Sequence, residues 1–193
     1  MSFPYPAMLS EPVSSDDHIL GPADAAITLV LYADFQCPLC AQVDKMAAEA
    51  ARRIGNDLRL VFRHFPQIRV HPCALWAAEV SEAAACQGHF WEMHDYLFAY
   101  QHELDIRAVL TEARRMGIDE IQLIRDFARD IPRRRVGRDL QSAEMSAVQE
   151  APILFINGRR YLGECSDELA FLADLQASCR LNTNCRSKVF VGH

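Results

Sequence analysis

Two cysteines separated by two residues, Cys37 and Cys40, are the side chains of this chain best suited by type and spacing to do chemistry. They fall in Asp34-Phe35-Gln36-Cys37-Pro38-Leu39-Cys40, between a β-branched and aromatic run, Ile27 to Tyr32, and a helix-forming segment, Ala41 to Ile54. A strand that gives way to a helix at this point places both sulfurs at the helix start. There the first N–H groups lack intrahelical partners and the macrodipole leaves partial positive charge. A thiolate at Cys37 is favoured by that field, and a second thiol one turn deeper can attack the first. Pro38 fits the first helical turn, where its missing N–H costs nothing, and Leu39 adds neither charge nor donor. The chemistry implied is dithiol/disulfide exchange, with a Cys37 pKa below the ordinary value. Half of a zinc site and a merely packed cysteine pair are the competing readings of the same spacing.

The element that must carry Cys37 and Cys40 is the helix from Ala41 to Ile54, with Val43, Met46, Ala47, Ala50 and Ile54 on one face. Gly55-Asn56 stops it, and Leu58 to Phe65 reads as a second apolar strand, so that strand, helix and strand form a βαβ unit with parallel strands. From about residue 70 to 148 the pattern is helical throughout. A segment opened by His71-Pro72 runs to Ala85, with Ala74, Leu75, Ala78 and Val80 as core. An aromatic helix covers 90–98, and further helices are expected at 106–116, 119–130 and 133–148. Asn157-Gly158 separates two short apolar runs and marks a hairpin, and an amphipathic helix is expected near 166–178. Residues 1–17 read as an extended arm, 18–180 as the folded domain, and 181–193 stay unassigned.

With 193 residues, 50% hydrophobic and 24% charged, the chain suits one globular domain, and its formal charge of −6 argues against nucleic acid as a partner. Arg133-Arg134-Arg135 reads as a solvated helix start. The first residues lack the basic and apolar regions of a signal peptide, and no run is long enough for a transmembrane helix, so the expected compartment is the cytoplasm. Cysteines there serve catalysis or sensing more often than structure. Seven cysteines leave at least one unpaired. Cys73, Cys86, Cys165, Cys179 and Cys185 read as small buried hydrophobes or incidental thiols, with a Cys179–Cys185 loop open under oxidising conditions. His64, His71, His89 and His94 show no ligand spacing and Asp34 and Glu164 default to the surface, so no metal ligand is assigned.

Pro152 stands at the start of a strand, where a cis Ala151–Pro152 bond and an exposed residue 151 backbone could pair with an extended substrate segment. With Asp34 to Cys40, Phe62-Arg63-His64-Phe65-Pro66, His71-Pro72, Gln87 to His94 and Ala151 to Gly158, the chain resembles the DsbA-like branch of the thioredoxin superfamily. The resemblance implies an α/β thioredoxin fold with an inserted all-helical subdomain, a nucleophilic Cys37, a resolving Cys40 and a cis Pro152 facing them. Leu39 stands where strongly oxidising members carry His, and Ala151 where Thr or Val is usual. The expected activity is a thiol-disulfide oxidoreductase with no cofactor, acting on a protein or small-molecule thiol/disulfide substrate and restored by an unidentified redox partner. A redox-inactive chaperone-like module, a metal-binding module and a glutathione-linked transferase are the alternatives.

Overall fold

A computed structural model describes residues 8–163 and 167–180. Five strands form one mixed sheet: β1 (His18–Leu20), β2 (Ile27–Ala33), β3 (Leu58–His64), β4 (Ile153–Ile156) and β5 (Arg159–Arg160), in the order β1-β3-β2-β4-β5. Helix α1 (Pro38–Ile54) links β2 to β3, which run parallel from Ile27↔Leu58 to Ala33↔His64. The insertion comprises α2 (Ala74–Ala85), α3 (Phe90–Ala99), α4 (Ile106–Arg115), α5 (Glu120–Ala128) and α6 (Ile131–Met145), and α7 (Glu168–Arg180) closes the fold. This is the thioredoxin-like architecture with added helices that the sequence leads one to expect. Among the described residues no helix is long and apolar enough to cross a membrane.

The two-residue alternation of side chains along β2 builds two cores at once. Leu29, Leu31 and Ala33 join Leu60 and Phe62 under α1, α7 and the inserted helices, whereas Val30 and Tyr32 meet Val61, Phe155 and Ala143 on the opposite face. A central strand buried on both faces reads as a continuous apolar run, which is what Ile27 to Ala33 is. Helix α1 buries Cys40, Val43, Met46, Ala47 and Ala50, while Ile54 is only half-buried; Gly55, at φ +67°, ends it with its N–H on the Ala51 carbonyl. The aromatic helix α3 is core, with Phe90, Met93, Leu97 and Phe98 buried.

Several boundaries move for physical reasons. The connection through His71-Pro72 is turn, and α2 begins at Ala74, flanked by Cys73 and Cys86. Helix α6 begins at Ile131 with Pro132 inside its first turn, where proline is tolerated. The basic run is therefore not simply solvated: Arg135 is half-buried and paired with Asp139. Strand β1 has no expectation behind it, since three residues give no period to read; it pairs antiparallel with β3, His18 opposite Phe62. Residues 8–17 lie against the domain, with Leu9 N–H on the Gly158 carbonyl and the Arg63 guanidinium reaching the Glu11 and Pro12 carbonyls. The four cysteines Cys37, Cys40, Cys73 and Cys86 are free thiols and Cys179 is disulfide-bonded, whereas Cys165, Cys185, Glu164 and the 181–193 tail lie outside the described residues.

Candidate active site

The two cysteines sit where β2 ends and α1 starts, and their surroundings differ sharply. Cys37 is the N-cap of α1, with extended backbone (φ −80°, ψ 117°) and its sulfur accepting from the Cys40 N–H at 3.2 Å. A thiol here does what a Ser or Asp does at other helix starts, so a negative charge on it is met by amides that have no other partner. The Cys37 pKa is held down at about 6. Its chief cause is the Cys40 thiol, which hydrogen-bonds to it; burial opposes, and the Cys40 and Leu39 amides help while the Asp34 carboxylate pushes the other way. Cys40 is fully buried and its pKa is driven far up, first by that burial and then by its hydrogen bond with Cys37. Its sulfur accepts only a long bond, 3.5 Å, from the Asp34 N–H. One sulfur is poised as thiolate while the other keeps its proton.

Pro38 occupies the first turn of α1, and Leu39, half exposed, covers the outer side of the motif. Across the site the Ala151–Pro152 bond is cis, and the Ala151 carbonyl lies 3.7 Å from the Cys37 sulfur, accepting from it in the thiol form. Residues 114 positions apart are brought together because β4, which follows Pro152, pairs antiparallel with β2, which precedes Cys37, with Tyr32 opposite Ile153.

Asp34 was expected at the surface and is buried instead, at 2% exposure. Its Oδ1 accepts from the Gln36 N–H at 2.8 Å, and its Oδ2 accepts from the Gln67 N–H at 2.8 Å and pairs with His71 Nδ1 at 2.7 Å. Gln36 Oε1 accepts from the Cys73 N–H at 2.6 Å. On the other side Phe35 stacks on Phe62, and its carbonyl accepts from Gln101. The three residues before Cys37 are thus clamped between the 67–73 connection and the helical insertion. The sequence carried a partial signal, because an Asp two residues before a turn amide is the ordinary Asx-turn arrangement; its second oxygen answers residues 33 and 37 positions away, which no local pattern reveals.

Of the histidines, His71 joins this clamp, while His94 is buried beside Asp44 and Asp95 and His89 lies near Glu92. None assembles a metal set with the dithiol: among the described residues the group of ligand-type side chains close enough to hold an ion is His18, His64 and Glu82.

Residues 14–172 match the protein-family profile Thioredoxin_4, described as thioredoxin. The chain belongs to the thioredoxin family. Among solved structures, a thioredoxin-like oxidoreductase from Silicibacter pomeroyi is similar to this thioredoxin-family chain with a TM-score of 0.71 at 22% identity, covering 88% of this chain and 95% of that one. Oxidised BdbD from Bacillus subtilis gives 0.76 at 18% identity, covering 90% and 98%. At these identities the likeness is one of fold. A Na+/H+ antiporter, NhaA 3 of Salinispora tropica, is 42% identical over 173 residues, which is 88% of this chain and 26% of the antiporter. This thioredoxin-family chain therefore spans about a quarter of the length of the curated relatives it matches.

Proposed function

We propose that the chain is a thiol-disulfide oxidoreductase of DsbA-like type that works through the Cys37-Pro38-Leu39-Cys40 dithiol. The observation that carries this is the contrast between the two sulfurs: a capping Cys37 with its pKa near 6, and a buried Cys40 that stays protonated one turn away. In the reducing direction the Cys37 thiolate attacks one sulfur of a substrate disulfide. A mixed disulfide forms, and the departing thiolate takes up a proton. Cys40 then loses its proton and attacks the Cys37 sulfur, releasing the second substrate thiol and leaving a Cys37–Cys40 disulfide. Two electrons pass from protein to substrate, and the reverse sequence oxidises a dithiol.

The backbone at Ala151, held across from Cys37, is the natural place for an extended substrate segment to pair, with Pro152 beside it. A protein substrate suits that arrangement best, and a small-molecule disulfide uses the same sulfur. No prosthetic group enters these steps, but a separate thiol or disulfide must restore the dithiol after each turnover. The potential of that partner sets direction.

The test is a turnover assay on a disulfide-bonded protein such as insulin, with glutathione as the restoring thiol. Cys37→Ser is expected to bring the rate down to that of glutathione alone, and Cys40→Ser to accumulate a mixed disulfide at Cys37 visible by intact mass. Full activity in Cys37→Ser protein would contradict the proposal.

A further inference from the structure

The second chemically competent cluster lies away from the dithiol, under the edge of the sheet. Strand β1 pairs with β3 so that His18 stands opposite Phe62, and the two-residue repeat then puts His18 and His64 on the same face as neighbours. Helix α2 crosses that face and lowers Glu82 between them. His18 Nε2 is 2.7 Å and His64 Nε2 2.8 Å from the same oxygen, Glu82 Oε1, and one ligand atom from each residue lies within 4.8 Å of the others. His64 and Glu82 are buried, and His18 stacks on Phe90 at 3.4 Å between ring centroids, so all three side chains are fixed in place.

We propose that His18, His64 and Glu82 form a binding site for a zinc-class divalent cation. Two imidazole nitrogens and one carboxylate oxygen are a donor set such ions favour. Ligand atoms about 2.0–2.1 Å from a tetrahedral centre stand roughly 3.3 Å apart. The two nitrogen–oxygen separations, 2.7 and 2.8 Å, need to widen by about half an ångström, and the two imidazole nitrogens, already within 4.8 Å of each other, complete the triangle by side-chain adjustment. Charge also favours a cation. The surrounding buried network holds the carboxylates of Asp17, Glu82 and Asp139 against the guanidiniums of Arg63 and Arg135, one negative charge in excess. Arg135 Nε approaches Glu82 Oε1 only to 4.0 Å, and its guanidinium is engaged by Asp139.

Three protein ligands leave one position of a tetrahedral centre open. His18 and Glu82 line a cavity of about 440 Å³ together with Cys86, one helical turn past Glu82, and Arg134, Arg135 and Arg138. Asp16, paired with Arg138, also lines that cavity, where water can complete the coordination.

The proposal stands apart from the dithiol reading, and its test is run in Cys37→Ser/Cys40→Ser protein so that the redox thiols cannot supply ligands. Chelator-stripped protein is titrated with Zn²⁺ by calorimetry, with stoichiometry by elemental analysis and with Co²⁺ as the spectroscopic probe. One ion per chain is expected, with a cobalt spectrum free of thiolate charge transfer. His18→Gln should weaken affinity by more than roughly a hundredfold, beyond the loss that follows from removing a mere hydrogen-bond partner of a ligand. His18 sits on an edge strand, so this variant is expected to keep its circular dichroism; Glu82→Gln gives a second substitution in the same set. Zinc binding that needs Cys37 and Cys40, affinity unchanged in folded His18→Gln protein, or no stoichiometric binding at all would each overturn the proposal.

Discussion

A thiol at a helix N-cap and a thiol three residues later differ in acidity because only the first faces unpaired amides with room for a charge. Cys37 receives the Cys40 N–H, and Cys40 has only a long contact to the Asp34 N–H in a fully buried pocket. Alkylation at Cys37 of reduced protein by iodoacetamide, read by peptide mass, should rise with a midpoint near pH 6, and Cys37→Ser protein should lack that phase while Cys73 and Cys86 still react at higher pH. The sign for stability follows from linkage. Folding lowers the Cys37 pKa from the ordinary value of about 8.5 to about 6. Its stabilisation of the reduced chain is therefore complete above the unfolded value and disappears as pH falls through about 6. Urea midpoints of the reduced wild type should fall relative to Cys37→Ser as pH drops across that window. Asp34→Asn keeps the oxygen that accepts from the Gln36 N–H but turns the one that accepts from the Gln67 N–H and pairs with His71 into an amide donor, and an unsatisfied buried polar group costs about 1–3 kcal/mol; urea unfolding should show a loss in that range. The cysteines and Pro152 could be named from the sequence, because their chemistry is local. Asp34 could not, since burial at 2% comes from partners beyond its own turn.

At the scale of elements, the site depends on β2 and α1 meeting at Cys37 and on β4 returning beside β2 with residue 151 at its near end. The return is set by the Asn157-Gly158 turn, whose residues have φ of +49° and +78°, the left-handed pair a tight hairpin needs. A Cβ at Gly158 would meet only the Met8 side chain at 3.9 Å, so the cost of Gly158→Ala is conformational. It should be about 1–2 kcal/mol, measurable by chemical denaturation, with the Cys37 pKa unchanged. Long periodic elements such as β2, α1 and the hairpin were readable because each follows from its own residues. β1 escaped because three residues, His18 to Leu20, carry no period and become a strand only when β3 lies beside them. α6 was expected too late because Pro132 breaks a helix interior and yet suits a first turn.

For the molecule as a whole, Arg63 ties the parts together. Its guanidinium pairs with Asp17, donates to Tyr32 Oη at 3.0 Å and Ser142 Oγ at 2.8 Å, and reaches the backbone of Glu11 and Pro12. One buried cation thus joins the segment before β1, the central sheet and α6. Arg63→Ala leaves Asp17 with only the Ser14 N–H and a 4.0 Å approach of Arg135, and breaking one side of a buried pair costs about 3–5 kcal/mol; thermal and urea unfolding should both register it. The helical insertion and the sheet were visible as blocks in the sequence, but this network was not, because its partners lie up to 79 residues from Arg63. The reacting thiols, by contrast, lie within one turn at the start of α1. The most direct measurement is a glutathione redox titration with mass-spectrometric mapping of which cysteines pair. A single reversible two-electron transition, confined to a Cys37–Cys40 disulfide and absent from Cys37→Ser protein, is the predicted result. If no Cys37–Cys40 disulfide forms at any ratio of oxidised to reduced glutathione, the dithiol account is wrong.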